Sequence, residues 1–197
     1  MQSFLFLKNS LIWWYNIRML NIKVENTCFR VVEGHIKFLK SACVLLDSIK
    51  EDFRLRNIDI YQDGYPNYEI IKSDLKNGDK TLLLINENDD VYAQITSTPN
   101  ELRSMFSEEE VKRILRHYNL PDIPYVGLCR LFVHKSLRSN GIGTYLIKLM
   151  EEKYKGNSFI FFVHITNFNA LKLYEQLDFK NLGIYNYPFG EFYTFIK

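Results

Sequence analysis

The sequence has few cysteines and almost no excess of one charge, and these shortages exclude several classes of protein. Its 197 residues contain three cysteines, Cys28, Cys43 and Cys129, and none forms a C-x-x-C pair. That scarcity argues against a zinc site or a disulfide scaffold and favours a reducing, cytoplasmic compartment. The formal net charge is only +2, so the chain lacks the overall field typical of nucleic-acid or membrane binding. We therefore expect no metal, no nucleic acid and no membrane among its ligands and partners.

Long apolar runs are also missing. No run approaches the ~20 residues that a membrane-spanning helix needs, and the chain shows no internal repeat or low-complexity segment. Hydrophobic residues nevertheless make up 47% of the chain, which is enough for a proper core at this length. We predict one domain over residues 21–197, preceded by an extension over residues 1–20.

The extension is strongly apolar at residues 4–7 and 11–15, with polar residues 8–10 between them. It lacks the cationic start and the small-residue cleavage site of a signal peptide. We interpret it as a segment upstream of the domain, with Met19 as an alternative start. A packed helix, or a self-association patch that makes a homodimer, remains open.

One stretch in the second half of the chain combines a predicted strand, a glycine turn and a predicted helix. The strand covers residues 125–133, and the turn is Asn140-Gly-Ile-Gly143. The apolar positions that follow have helical spacing: Ile142, Leu146, Leu149 and Met150. A glycine turn that opens a helix leaves N–H groups unpaired at the positive end of the helix dipole, which favours phosphate binding. Arg138 adds a positive charge just before the turn.

The spacing of the glycines distinguishes between the known phosphate loops. It is not that of a Walker P-loop, and the third glycine of the dinucleotide fingerprint is replaced by Leu146. The remaining pattern, Arg138-x-x-Gly141-x-Gly143, resembles the acyl-CoA pyrophosphate loop of the GCN5-related N-acetyltransferase (GNAT) superfamily, Arg/Gln-x-x-Gly-x-Gly/Ala. The loop alone also fits a plain strand–helix turn, or a nucleotide-binding protein with a chance glycine loop.

A second pattern further along the chain strengthens the resemblance. Residues 167–179 are similar to the GNAT signature Asn-x-x-Ala-x-x-x-Tyr-x-x-x-Gly-Phe, with Asn167, Ala170, Tyr174 and Phe179 on the pattern and Asp178 in place of the glycine. Two signatures in the right order are far more specific than either one. The resemblance covers residues 125–197 firmly and the preceding part of the chain more weakly.

The resemblance implies an α/β fold of the GNAT acyl-CoA N-acyltransferase type. Its central sheet is mostly antiparallel, has six to seven strands, is flanked by helices, and splays apart between its fourth and fifth strands. The residue patterns place strands at residues 21–32, 81–85, 91–95, 125–133 and 159–163, with a terminal pair at 185–188 and 192–196. They place helices at residues 36–49, 68–75, 107–118, 144–154 and 170–177, the second and third capped by Asn67 and Ser107.

The family relationship also implies a reaction, the transfer of an acetyl group from acetyl-CoA to a primary amine of a small molecule or a protein. The residues that would bind acetyl-CoA are Leu131, Phe132, Val133, Arg138, Ser139, Asn140, Gly141, Ile142, Gly143, Thr144, Asn167 and Asn169. A backbone N–H of Leu131 or Phe132 would bind the thioester oxygen. Tyr174 would donate a proton to the departing sulfur, since a phenol with a pKa of ~10 is protonated at neutral pH. Asn169 has an alternative role as the cap of the short helix.

The general base is not evident from the sequence. Some family members carry a glutamate on the fifth strand, and Phe162 stands at that position here. A water chain, or an acceptor with a low pKa, would remove the need for a base. We interpret His134 and His164, at strand ends, as structural, and Cys129 as a small buried side chain rather than an acyl-carrying nucleophile.

The acceptor and the activity itself leave alternatives. By resemblance Tyr61, Tyr65 and Tyr68 are candidate acceptor contacts, although each is equally compatible with a surface or core position. A non-catalytic acyl-CoA-binding module is the alternative to an enzyme. The missing glutamate favours this alternative, and the presence of Tyr174 counts against it.

Overall fold

The computed structural model describes residues 22–24, 27–58, 60–188 and 190–197. Within them, eight strands form one mixed sheet in the order β1-β2-β3-β4-β5-β6-β8-β7, and only β5 and β6 pair in parallel. The strands are β1 (Ile22–Val24), β2 (Thr27–Glu33), β3 (Thr81–Ile85), β4 (Val91–Thr98), β5 (Tyr125–Val133), β6 (Ser158–His164), β7 (Lys180–Tyr187) and β8 (Gly190–Ile196). The predicted extension over residues 1–20 lies outside the described residues.

Helices cover both faces of the sheet. They are α1 (Leu39–Leu55), α2 (Tyr68–Lys76), α3 (Glu101–Met105), α4 (Glu108–Tyr118), α5 (Ile142–Lys153) and α6 (Phe168–Glu175). α5 and α6 bury one apolar cluster against the sheet, while α1 with α2 and α3 with α4 bury two clusters against the opposite face. None of the helices described here is long and apolar enough to cross a membrane.

Local sequence signals account for several of these elements. The Asn67 side chain accepts a hydrogen bond from the Ile70 amide at 3.1 Å and starts α2, and Ser107 accepts from the Glu110 amide at 3.3 Å and starts α4. All five residues of β3 are buried, as expected for a strand covered on both faces. The predicted caps are therefore confirmed. The predicted hairpin is confirmed as well, because β3 and β4 pair antiparallel.

The mixed, mostly antiparallel α/β fold is confirmed. Some bounds differ from the prediction, since β7 begins at Lys180 rather than at residue 185 and α1 ends at Leu55 rather than at residue 49. Two further elements differ in kind. Residues 21–32, predicted as one strand, contain β1 and β2, which pair antiparallel with Val24 opposite Thr27. In this pairing, β1 and β2 satisfy each other's backbone hydrogen-bonding groups. A single strand over residues 21–32 would run past the end of β3 and leave those groups unpaired. The separate β1 brings the strand count to eight. The five-residue helix α3 was not predicted, because it is too short to show a hydrophobic period.

β5 and β6 separate soon after they meet. They pair at Tyr125–Ser158 and Val126–Phe159 and not beyond, whereas β5 stays paired with β4 as far as Val133. The edge of β5 from Gly127 onward therefore has no neighbouring strand within the described structure. This is the splay that the resemblance implied, one strand later in the numbering because β1 is separate.

A β-bulge interrupts β5 within the splayed region. Cys129 lies opposite Thr96 and Phe132 opposite Gln94, so two residues of β5 face a single residue of β4. Arg130, at the bulge, has a φ of 49°, in the left-handed region. The bulge changes the alternation of side chains, so that Leu131 packs with the α5–α6 cluster and Phe132 with the α1–α2 cluster.

Candidate active site

A cavity of about 510 Å³ lies beside the unpaired end of β5. It is bounded by α1, β5, the turn before α5, and α6. The predicted acetyl-CoA-binding residues that line it are Leu131, Phe132, Val133, Arg138, Ser139, Gly141, Ile142, Gly143, Thr144, Asn167 and Asn169. Two predicted residues do not line it. The Asn140 side chain donates to the Arg138 carbonyl at 3.1 Å instead, and Tyr174 is buried nearby.

The turn before α5 presents free backbone donors to this cavity. Gly141 is the N-cap of α5 with a φ of 74°, a conformation that favours glycine, and its carbonyl accepts from the Tyr145 amide at 2.9 Å. Within the described chain, the amides of residues 142–144 have no hydrogen-bond acceptor. Gly143 allows α6 to approach, because a Cβ there would lie 3.3 Å from Leu173 Cδ2. The arrangement suits an anion at the positive end of the helix dipole.

Arg138 is less available to an anion than its place in the sequence suggested. Its Nε donates to the Val133 carbonyl at 3.1 Å, and its Nη1 donates to Asp52 Oδ2 at 2.7 Å. Burial acts to raise the pKa of Asp52, but hydrogen bonds and charge from Arg138 and Arg56 lower it overall. Asp52 is therefore ionised, and Arg138 joins the turn to β5 and α1 while sharing its charge with a carboxylate.

The two asparagines near α6 have distinct positions. Asn167 is the N-cap of α6, and its side chain accepts from the Ala170 amide at 3.4 Å. Asn169 is exposed on the first turn of α6, so the alternative in which it caps the helix is wrong. A cap must precede the first helical residue, and Asn167 occupies that place.

Tyr174 lies in an apolar cage on α6. The residue is 5% exposed, and its ring centroid lies 4.4 Å from that of Phe161, with Phe179 and Phe195 close by. Burial raises the pKa of its phenol, and nearby Tyr61 and Cys129 raise it further. The phenol is therefore protonated at neutral pH. Its interaction with Cys129 places it within electrostatic range of β5.

Two of the three candidate acceptor tyrosines face β5. The Tyr61 ring stacks on Phe53 at 5.8 Å and meets Phe132 edge-on at 5.7 Å. The Tyr65 hydroxyl accepts from Arg130 Nη1 at 2.9 Å. Tyr68 is 53% exposed on α2, and its ring lies near the Lys72 ammonium rather than near β5.

A buried ion pair holds the bulge in place. Arg130 donates to Asp74 twice, from Nε to Oδ2 at 2.6 Å and from Nη2 to Oδ1 at 2.8 Å. The two side chains are 14% and 8% exposed. This bidentate geometry connects the strained residue of β5 to α2.

The other side chains weighed as bases or nucleophiles are engaged or apolar. His134 Nδ1 lies 2.8 Å from Ser136 Oγ, and His164 Nδ1 lies 2.9 Å from Thr166 Oγ1, so each ring contacts a neighbour two residues on. Burial raises the pKa of the Cys129 thiol to about 11, which keeps it protonated. The Phe162 ring packs against Phe106 and Tyr187. No group of three or more His, Cys, Asp or Glu in the described segments is arranged to hold a metal ion.

Sequence reasoning missed two buried carboxylates next to β5, Asp74 of the ion pair and Glu101. Glu101, on α3, is 5% exposed, and burial raises its pKa to about 7. It follows Pro99 and Asn100, a composition typical of an exposed turn. A signal was available in Gly127, because an isolated glycine within a strand indicates the close approach of another group.

Comparison with solved structures supports the fold. An acetyltransferase of the GNAT family from Streptococcus agalactiae superposes with a TM-score of 0.69 at 16% identity, covering 90% of this chain and 98% of that one. NAA60 from Arabidopsis thaliana, in complex with a bisubstrate analogue, gives a TM-score of 0.56 at 17% identity, covering 86% and 97%. The NatC complex bound to Gag peptide and CoA gives 0.60 at 14%, covering 85% and 96%.

Comparison with sequences gives the family. No curated protein matches the chain. Among protein families, the one described as the Acetyltransferase (GNAT) family matches residues 46–179, about two thirds of the chain. The matched segment includes the second half of α1, both signatures, the splayed strands and the cavity beside them. The chain therefore belongs to the GNAT acetyltransferase family and is an acyltransferase.

Proposed function

We propose that the protein transfers an acetyl group from acetyl-CoA directly to a primary amine, with Tyr174 as the general acid. The observation that carries the proposal is the joint opening of the α5 amides and the free β5 edge onto one cavity. Membership of the GNAT family supports acetyl-CoA as the donor. A solved structure of the same fold, the NatC complex, contains CoA.

The residues that line the cavity suit acetyl-CoA. The free amides of residues 142–144 and the backbone of residues 139–141 would bind the diphosphate. The edge of β5 over residues 131–133 would pair with the amides of pantetheine as an added strand. Asn167 and Asn169 would contact the cofactor from α6. Bound in this way, acetyl-CoA supplies an activated thioester.

The reaction needs a donor for the thioester oxygen and a proton for the sulfur. The acceptor nitrogen forms a bond to the acetyl carbon, and the carbon–sulfur bond breaks. A backbone N–H of Leu131 or Phe132, next to the bulge, would stabilise the oxyanion. Tyr174 would give its proton to the thiolate and recover one from the acetylated nitrogen. Its burial in an apolar cage keeps that proton in place until the sulfur leaves.

The acceptor is a primary amine of a small molecule or a protein. Tyr61 and Tyr65 would contact it, because both face the bulged part of β5. Peptides are one class to test, since the NatC complex of this fold binds a Gag peptide. Tyr68, turned toward solvent, is no longer a favoured contact.

The proposal is tested by incubating the protein with acetyl-CoA and panels of polyamines, aminoglycosides, amino acids and peptides, and detecting acetylation by mass. We expect Tyr174→Phe to lower kcat roughly 100-fold while leaving the Kd for CoA unchanged. Tyr68→Phe, an exposed tyrosine of the same chain, is the matched control and should behave as the parent. If the protein binds CoA but acetylates no acceptor, it is a binding module instead. If it binds ATP or NAD and does not bind CoA, it is a nucleotide-binding protein.

A further inference from the structure

The Glu101 carboxyl lies directly against the backbone of β5. A Cβ added at Gly127 would collide with the carboxyl carbon of Glu101 and with its Oε2. Only glycine at position 127 therefore leaves room for the carboxyl. Gly127 is also the first residue of β5 after Val126, the last to pair with β6. The Glu101 carboxyl thus lies at the point where the two strands separate.

One carboxyl oxygen of Glu101 has no partner. The Thr98 side chain acts on the carboxylate and lowers its pKa. Oε2 is fully buried, and nothing in the described part of the chain donates a hydrogen bond to it. A buried acceptor without a donor is costly, so such a site indicates a donor that the chain does not supply. A water molecule or an ammonium group has the required N–H or O–H.

Glu101 and Tyr174 lie on opposite faces of the sheet near the same gap. α3 belongs to the face covered by α1–α4, and α6 belongs to the other face. Cys129, in the splayed part of β5, interacts electrostatically with both side chains. The two titratable groups therefore flank the unpaired strand edge, one on each side.

Given the proposed acetyl transfer, on which this inference rests, we propose that Glu101 is the general base that accepts a proton from the acceptor ammonium. The proton moves to Oε2 through a water molecule, because Oε2 itself is fully buried, and leaves a neutral amine whose lone pair attacks the thioester carbon. Tyr174 protonates the departing sulfur on the opposite side and is reprotonated from the acetylated nitrogen. Glu101 then releases its proton to solvent, so that one proton is lost for each acetyl group transferred.

The environment of Glu101 suits this role. Burial raises its pKa to about 7, and the Thr98 hydroxyl and the positive charge of Arg130 oppose the rise. From β5 it also interacts with the Cys129 thiol. A base is most effective when its pKa lies near the working pH. Asp74, the other buried carboxylate beside β5, is held by Arg130.

The decisive variant is Glu101→Gln, which keeps the shape and removes the base. With an acceptor found in the acetylation screen, we expect kcat/KM at neutral pH to fall roughly 100-fold, with the Kd for CoA unchanged. The break near pH 7 in the parent profile should disappear. One further effect distinguishes a base from a merely structural residue. If Glu101 is the base, the loss of kcat/KM should be larger for an alkylamine acceptor than for an aromatic amine, which is already neutral. Glu109→Gln, at an exposed site on α4, is the matched control and should match the parent.

A second variant covers the case in which Glu101→Gln fails to fold. Glu101→Asp retains a carboxylate but withdraws it by one methylene, so it should lower kcat and keep a pH break. The assignment would be overturned if Glu101→Gln kept parent-like rates and an unchanged pH break. It would also be overturned if that variant kept the full pH break and lost kcat/KM equally for both amine types. A parent that binds CoA and acetylates nothing would refute the proposed function instead, so the two failures are distinguishable.

Discussion

Arg138 Nη1 lies 2.7 Å from Asp52 Oδ2, although the two residues are 86 positions apart. The guanidinium that the sequence places next to the proposed diphosphate loop is thus shared with α1. Its second contact, from Nε to the Val133 carbonyl, connects the same side chain to the end of β5. Arg138 therefore acts on the cavity as much by holding its walls together as by its charge.

This contact predicts that Arg138 and Asp52 act as a unit in CoA binding. We expect Arg138→Ala and Asp52→Ala each to weaken CoA binding several-fold, and the double variant to be no weaker than Arg138→Ala. The reason is that either change breaks the same connection, which corresponds to a coupling of about 1 kcal/mol. Isothermal titration with CoA measures it. Glu51→Ala, which removes an exposed partner of Arg54 on the same helix, is the control; losses that simply add would contradict the prediction.

Gly141 and Gly156 permit a comparison between conformational strain and ligand binding. Both have positive φ, 74° and 86°, and a Cβ at either position meets no atom within 4 Å. Alanine at each should lower the free energy of unfolding by about 1 kcal/mol, because a Cβ is strained in the left-handed region. Only Gly141→Ala should also weaken CoA binding, since Gly141 starts the helix whose amides face the cavity. Urea unfolding and CoA titration on both variants test this, and equal CoA affinities would refute it.

Glu101 predicts a pH dependence of stability with a definite sign. Its pKa of about 7 in the folded protein exceeds its ordinary value of 4.5. The folded state therefore holds a proton that the unfolded state releases between these values, and the free energy of unfolding falls as the pH rises from 4.5 to 7. Glu101→Gln should remove this fall, so its stability relative to the parent should increase by roughly 3 kcal/mol between pH 4 and pH 8. Urea unfolding of both proteins at the two pH values is the measurement, and a pH-independent difference would count against it.

The buried pair Arg130–Asp74 should be far more important for stability than an exposed pair of the same chemistry. Asp74→Ala leaves the Arg130 charge buried without a partner, and we expect a loss of about 3–5 kcal/mol. Asp89→Ala removes a carboxylate that meets Arg30 and Lys37 at the surface, and should cost less than about 1 kcal/mol. Chemical denaturation of both variants compares them. Similar losses would show that burial does not control the contribution of the pair.

Local signals predicted the turn before α5 and the starts of several helices. Gly141 starts α5 because the turn needs a positive φ, and Asn67 and Ser107 cap their helices through bonds that span three residues. Each depends on nearby backbone groups, so the residue types and their spacing are sufficient. The same holds for β6, whose continuous apolar run indicated a strand covered on both faces.

The sequence by itself determined where the glycine turn before α5 lies and which tyrosine follows it, because glycine conformation and helix spacing are properties of a short segment. Only the tertiary structure decided that Arg138 is bound to Asp52, that β5 bulges at Arg130, and that Glu101 is buried against Gly127. Those features depend on which distant strand or helix lies alongside, since burial and ion pairing come from neighbours in space. The acid proposed for the reaction is thus visible in a motif, whereas the proposed base emerges only when α3 packs onto β5.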